Sequence, residues 1–140
     1  MGLFDSFETR VKKTHIINLA YVATERKRVL TFEENQFIYD VGRRTGLSQS
    51  HVDNILRARD SFRNATSTSL IVKFLQIQQL SYISHMYTGT MVDSKIKIVE
   101  NIAESYGFHK EIVRDMFDIF LNLDNWKNHP EIDMLKYLKE

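Results

Sequence analysis

Apolar residues recur at three- and four-residue intervals along nearly the whole chain, the spacing that gathers them on one face of an α-helix. Phe4, Phe7, Val11, Ile16, Leu19, Ala20 and Ala23 trace a first helix ending near Glu25. Thr31-Phe32-Glu33-Glu34 then reads as a capping box, in which the Thr31 hydroxyl accepts from the Glu34 amide and the Glu34 carboxylate reaches back. It opens a second helix with Phe37, Ile38 and Val41 inward. That helix stops at GRRTGL, where Arg43 and Arg44 suit a helix C-terminus and Gly46 the left-handed position beyond it. Ser48 caps a third helix carrying Val52, Ile55 and Leu56.

The polar segment RNATSTS marks an internal boundary, and Leu70 to Tyr87 follows as a long helix. Its wide apolar face, including Phe74, Ile77, Leu80 and Ile83, predicts a central place in the fold. Asp93 is expected to cap a fifth helix with Ile96, Val99, Ile102 and Ala103, and SYGF to end it as RTGL ends the second. Ile112, Val113, Met116, Phe117 and Phe120 mark a sixth. Pro130 fits the first turn of a short last helix with Ile132, Leu135 and Leu138, and Trp126 anchors the loop before it. One proline and five glycines leave little to interrupt helices, so the fold class expected is an all-α bundle of six or seven helices.

Displaced against itself by 61 residues, the chain aligns Leu19 with Leu80, Tyr21 with Tyr82, Gly46 with Gly107 and Val52 with Val113. Conservative pairs include Ile16 with Ile77, Ile38 with Val99 and Leu47 with Phe108. The pattern predicts two three-helix units, about 10–62 and about 70–122, followed by a C-terminal helix at about 130–139, all within one domain. The two long helices are expected to pack together about a pseudo-twofold axis.

Units of this layout resemble the tellurite-resistance TerB-like family, over roughly residues 10 to 122. That family carries an acidic loop, Asp-Gly-x-apolar-x-x-x-Glu, after each long helix, and its carboxylates hold a divalent cation. In the first loop here Lys27 and Arg28 stand in place of Asp-Gly, and only Leu30 and Glu34 match. In the second, Gly89 and Met91 match, while Thr88 and Lys95 replace the two carboxylates. A lysine in place of a ligand repels a cation, so the resemblance implies a TerB-like bundle whose cation site is lost. It also implies an accessory role in stress or tellurite resistance.

Composition narrows the chemistry. The chain has 140 residues, 43% of them apolar and 26% charged, which suits one soluble domain with its own core. The absence of cysteine excludes disulfides, thiolate zinc sites and cysteine nucleophiles and accords with a cytoplasmic home. No apolar run approaches a membrane span. The opening MGLFDS has the N-myristoylation spacing at Gly2 and Ser6, but Leu3, Phe4 and Phe7 read more simply as the start of an amphipathic helix. Net charge is +1, with residues 1–70 carrying 11 Lys and Arg against 8 Asp and Glu. Nucleic acid is therefore disfavoured as a partner, since that role calls for a larger basic excess with exposed stacking aromatics.

No catalytic constellation stands out. His15, His51, His85, His109 and His129 form no His-Glu-x-x-His, and His15 and His85 on the long helices read as surface or hydrogen-bonded core residues rather than ligands beside Glu25. GRRTG ends a helix instead of opening one, so it is no phosphate loop. The best candidate site is a basic patch of Arg26, Lys27, Arg28, Arg43 and Arg44, with the first loop and the end of the second helix expected close together. Arg57, Arg59 and Arg63 extend it, and Tyr82, Tyr87, Tyr106 and Tyr137 suit an interface. The reading is a non-catalytic interaction module with no cofactor and another protein as partner, a homodimer staying open. Second comes a divalent-cation sensor using Glu25, Glu33, Glu34 and Asp93, and third a binder of anionic ligands, nucleic acid or headgroups.

Overall fold

The computed structural model describes residues 6–58, 64–87, 92–120 and 134–139. Six α-helices fill them: α1 (Phe7–Thr24), α2 (Phe32–Arg44), α3 (Gln49–Arg57), α4 (Leu70–Ile83), α5 (Asp93–Ser105) and α6 (Glu111–Phe120). A 3-10 turn, Met134–Tyr137, follows, and there is no strand among the described residues beyond one isolated bridge. No helix among them is long and apolar enough to cross a membrane.

Four helices start on a side-chain hydroxyl. Ser6, Thr31, Ser48 and Ser69 accept from the amides of Thr9, Glu34, His51 and Val72, satisfying donors that a helix start leaves without partners. The capping box at Thr31 is complete. Asp93 does not cap α5: Val92 occupies that position without a side-chain hydrogen bond, and Asp93 is the first helical residue. A carboxylate there still complements the positive end of the helix dipole.

α4 stops at Ile83 rather than continuing to Tyr87. The Ser84 hydroxyl donates to the Ser81 carbonyl at 2.6 Å, and the amides of His85 and Met86 turn to acceptors three residues back. A serine that takes a carbonyl from its own helix tightens the last turn and ends the α pattern.

The core is shared between α1 and α4. α1 packs on α2, α3, α4 and α5, and α4 on α1, α5 and α6. Ile16, Leu19, Val22, Ile77, Leu80 and Ile83 meet in the middle with Ile38, Val52, Ile96, Val99, Ile112 and Val113 around them. The bounds of α2, displaced by 61 residues, coincide with those of α5. The turn after each helix also recurs. Leu47 N–H bonds Gly42 O at 2.8 Å with Gly46 at φ +90°, and Phe108 N–H bonds Ala103 O at 3.0 Å with Gly107 at φ +94°. Both glycines sit in the left-handed region that other residues enter at a cost.

The C-terminal segment lies across the second of these turns. Phe108 and Leu138 form the antiparallel bridge, His109 N–H donates to Tyr137 O at 2.6 Å, and Lys139 N–H donates to Gly107 O at 2.9 Å. The Tyr137 hydroxyl donates to Asp115 at 2.5 Å. Leu135, expected inward on a helix, is 64% exposed, because the 3-10 turn spaces its side chains differently. Trp126, Pro130 and Ile132 lie outside the described residues.

His15 ties the two central helices together, its Nε2 lying 2.6 Å from Gln79 Oε1. The amide oxygen can only accept, so Nε2 carries the proton, and the buried Nδ1 has no hydrogen-bond partner. Burial lowers this imidazole's pKa from 6.5 to about 4. Between those values the unfolded chain binds a proton that the folded chain refuses, so stability declines as pH falls from 6.5 and levels off near 4. His85, also shifted down by burial, acts in the same sense.

Two outcomes are expected. Urea unfolding followed across that window should lose about 3 kcal/mol through His15, and His15→Gln should remove that part of the slope. A Cβ at Gly42 would come within 2.7 Å of Val52 Cγ2, which is itself buried, so Gly42→Ala should cost about 1–3 kcal/mol by overpacking. Adding Val52→Ala opens the space, and the double variant should be more stable than the sum of the single effects.

Candidate functional site

The turn between α1 and α2 is built on strained backbone. Glu25, at φ 51°, closes α1 by donating its N–H to Tyr21 O at 2.7 Å, and Arg26 follows at φ 61°. Neither is glycine, and a left-handed residue with a side chain costs roughly 1–2 kcal/mol. Local hydrogen bonds offset part of this. The Thr24 hydroxyl accepts from Arg26 N–H at 3.2 Å and donates to Ala20 O at 2.9 Å, and Lys27 N–H reaches Thr24 O at 2.9 Å. Strain of this kind gathers where a side chain must be aimed, and the one aimed here is Arg28.

Arg28 turns inward and grips Glu34. Nη1 donates to Oε1 and Nη2 to Oε2, each at 2.8 Å, the two-pronged geometry that matches guanidinium to carboxylate. The same guanidinium donates to Ala23 O at 2.9 Å and Val29 O at 3.0 Å, so it also satisfies a carbonyl left open at the end of α1. Thr31 N–H adds a third bond to Glu34, at 2.9 Å to Oε1. Glu34 is completely buried. Burial alone would push its carboxyl up, but the bonds from Arg28 and Thr31 outweigh burial and hold it below the ordinary 4.5. Arg28 is correspondingly raised by its bond to Glu34.

Lys95 lies in the same neighbourhood. It is the third residue of α5, as Glu34 is of α2, and it too is buried. Burial lowers its ammonium and nearby Arg28 lowers it further, while Glu34 and Glu25 act in the opposite direction. Tyr87 covers both cations: its ring centroid lies 4.1 Å from the Arg28 guanidinium carbon and 6.0 Å from Lys95 Nζ. Glu25, Arg28, Glu34 and Lys95 thus form one charge-balanced group beside an aromatic ring.

The structure brings together only part of what the sequence suggests. Arg28 is not a free cation on a basic surface but half of an internal ion pair. Arg26 and Lys27 are exposed beside it. Arg43 and Arg44 are exposed at the opposite end of α2, roughly 18 Å away along its thirteen residues, and both face Asp40, at 3.0 and 3.6 Å. The expected single patch is therefore two groups. Arg59 and Arg63 lie outside the described residues.

The metal candidates fare differently from one another. Both oxygens of Glu34 are held by Arg28, so a cation there would have to displace a bound guanidinium. Glu33 and Asp93 are exposed, and no group of three His, Asp or Glu among the described residues is placed to hold a metal ion. Thr88, Gly89 and Met91 lie outside the described residues.

A cleft of about 750 Å³ opens beneath the same turn. Tyr21, Asn18, Arg26, Leu30, Leu56 and Asn64 line much of it, and the Arg26 guanidinium stacks over the Tyr21 ring at 4.7 Å. Neither Asn18 nor Tyr21 stands out as a site residue in the sequence. Their signal was a pair of polar-tipped residues one turn apart on α1, beside its buried stripe. No family model, no curated protein and no solved structure matches this chain.

Removing Arg28 would leave Glu34 buried and unpaired. Arg28→Ala should therefore cost about 3–5 kcal/mol in chemical denaturation at neutral pH, while Arg28→Met with Glu34→Leu should recover most of the loss. The pair's stabilisation should be present in full above pH 4.5, where the unfolded carboxyl ionises, and be lost as pH falls below it. That loss begins at the lower end of the His15 window, the two overlapping between pH 4.5 and about 4.

Proposed function

We propose that this chain is a non-catalytic interaction module that recognises an acidic surface on a partner protein with the α1–α2 end of the bundle. The observation that carries this reading is an exposed apolar group at that end. Val29 is 86% exposed, Phe32 73% and Tyr87 59%. Large side chains exposed together mark contact sites, and Arg26 and Lys27 beside them favour an acidic counterpart. Arg28 serves this surface from below, by fixing the turn that displays Val29.

A TerB-like origin by duplication belongs to the same reading, with an accessory role in stress or tellurite resistance. Supporting it are the layout resemblance and the recurrence, 61 residues on, of the α2 bounds and of the glycine turn. The divalent-cation sensor gains no comparable support, since its best ligand is already bound by Arg28.

A photo-crosslinking side chain placed at Val29 tests the proposal. In cells it should capture a discrete partner that the same group at Ser50, also exposed, does not, and Lys27→Glu should reduce the yield severalfold. Equal capture from Val29 and Ser50 would refute the surface. Crosslinks confined to copies of this chain would make the contact a homodimer instead.

A further inference from the structure

We infer that the cleft beneath the α1–α2 turn is a binding site for a small amphipathic organic anion, a single negative head on an aromatic or aliphatic body. The cleft shares Arg26 and Val29 with the proposed partner surface, whereas Phe32 and Lys27 lie outside its lining, and that difference separates the two in the test below. Three observations carry the inference.

The first is size. About 750 Å³ falls within the range of sites that enclose a small organic molecule. The second is charge. Arg26 and Arg28 both line the cleft, and among the described residues no carboxylate does. Arg28 is already neutralised by Glu34, and no carboxylate among the described residues pairs with Arg26. Arg26 is therefore the cation left to meet an incoming anion. Its stacking on Tyr21 holds the planar guanidinium in place, so a two-pronged bond to a carboxylate, phosphate or sulfonate needs little further ordering.

The third is the division of the lining. Leu30 and Leu56 offer an apolar wall, while Asn64 adds an amide with both donor and acceptor capacity. A cation held on an aromatic ring beside an apolar wall suits a molecule with two unlike ends. A bare inorganic anion would leave the wall unused, and a neutral apolar molecule would leave the guanidinium unpaired. Arg26 holds its place above Tyr21 from a left-handed residue, φ 61°.

The fluorescent probe anilinonaphthalene sulfonate tests this on the full chain. It should bind saturably at one site per molecule. Arg26→Gln should weaken it about tenfold or more, as expected for loss of a charge-assisted hydrogen bond. Asn64→Asp, a nearly isosteric change at an exposed position, should weaken it comparably by placing a carboxylate in the cleft. Both variants should keep the wild-type melting curve. Lys27→Glu should leave probe binding unchanged, which separates the cleft from the partner surface. The neutral analogue phenylnaphthylamine should bind more weakly and ignore Arg26→Gln. Benzoate and phenyl phosphate should compete and thereby rank the head groups, while inorganic phosphate should not. Probe affinity unmoved by Arg26→Gln and Asn64→Asp would overturn the site, as would an equal loss in Arg43→Gln. Displacement by inorganic phosphate as strong as that by phenyl phosphate would overturn the amphipathic part.

Discussion

The ion pair between Arg28 and the buried Glu34 is the constraint around which this end of the molecule is arranged. A carboxylate with no exposed surface is tolerable only when its oxygens are filled, and here two guanidinium bonds and one amide fill them. Arg28 reaches that position because Glu25 and Arg26 take left-handed conformations just before it. The same guanidinium closes the end of α1, and the same carboxylate completes the start of α2. Two helices, one strained turn and one ion pair are therefore a single cooperative unit. Because its cation is part of the chain, its occupancy is independent of any free ion concentration.

The group is also asymmetric in an instructive way. Glu34 and Lys95 hold the same position, the third of α2 and of α5, with opposite charge. A helix N-terminus favours the first and opposes the second. Lys95 is buried against that preference, close to the carboxylates of Glu34 and Glu25 and under the Tyr87 ring. At this one position α2 and α5 are alike in backbone and opposite in charge.

Much of the backbone was legible because it depends on local rules. Thr31 with Glu34, Ser48, Gly46 and Gly107 each announce a helix end by chemistry acting within a few residues, and the inward positions follow from helical spacing. α4 ends earlier than its apolar spacing predicts because Ser84 competes for a carbonyl, an effect that spacing does not register. Asp93 has the residue type of a cap, but its place one step inside α5 depends on where the backbone bends. The site was less legible still. RKR reads as three like cations, yet one turns inward to Glu34, one stacks on Tyr21 and one stays in solvent. That sorting depends on two left-handed residues, and nothing in the composition of Glu25 and Arg26 foretells them.

The C-terminal strap gives the two glycine turns unequal support. The turn at Gly46 is closed by Gly42 and Leu47, neighbours in sequence, and can form as soon as that stretch leaves the ribosome. The turn at Gly107 shares its backbone groups with residues 137–139, and Asp115 waits for the Tyr137 hydroxyl. Until those residues emerge, Gly107 O and His109 N–H have only water to bond. Both corners close on local bonds, Leu47 to Gly42 and Phe108 to Ala103, so each can set as it emerges, and residues 137–139 then add a clasp to the second alone.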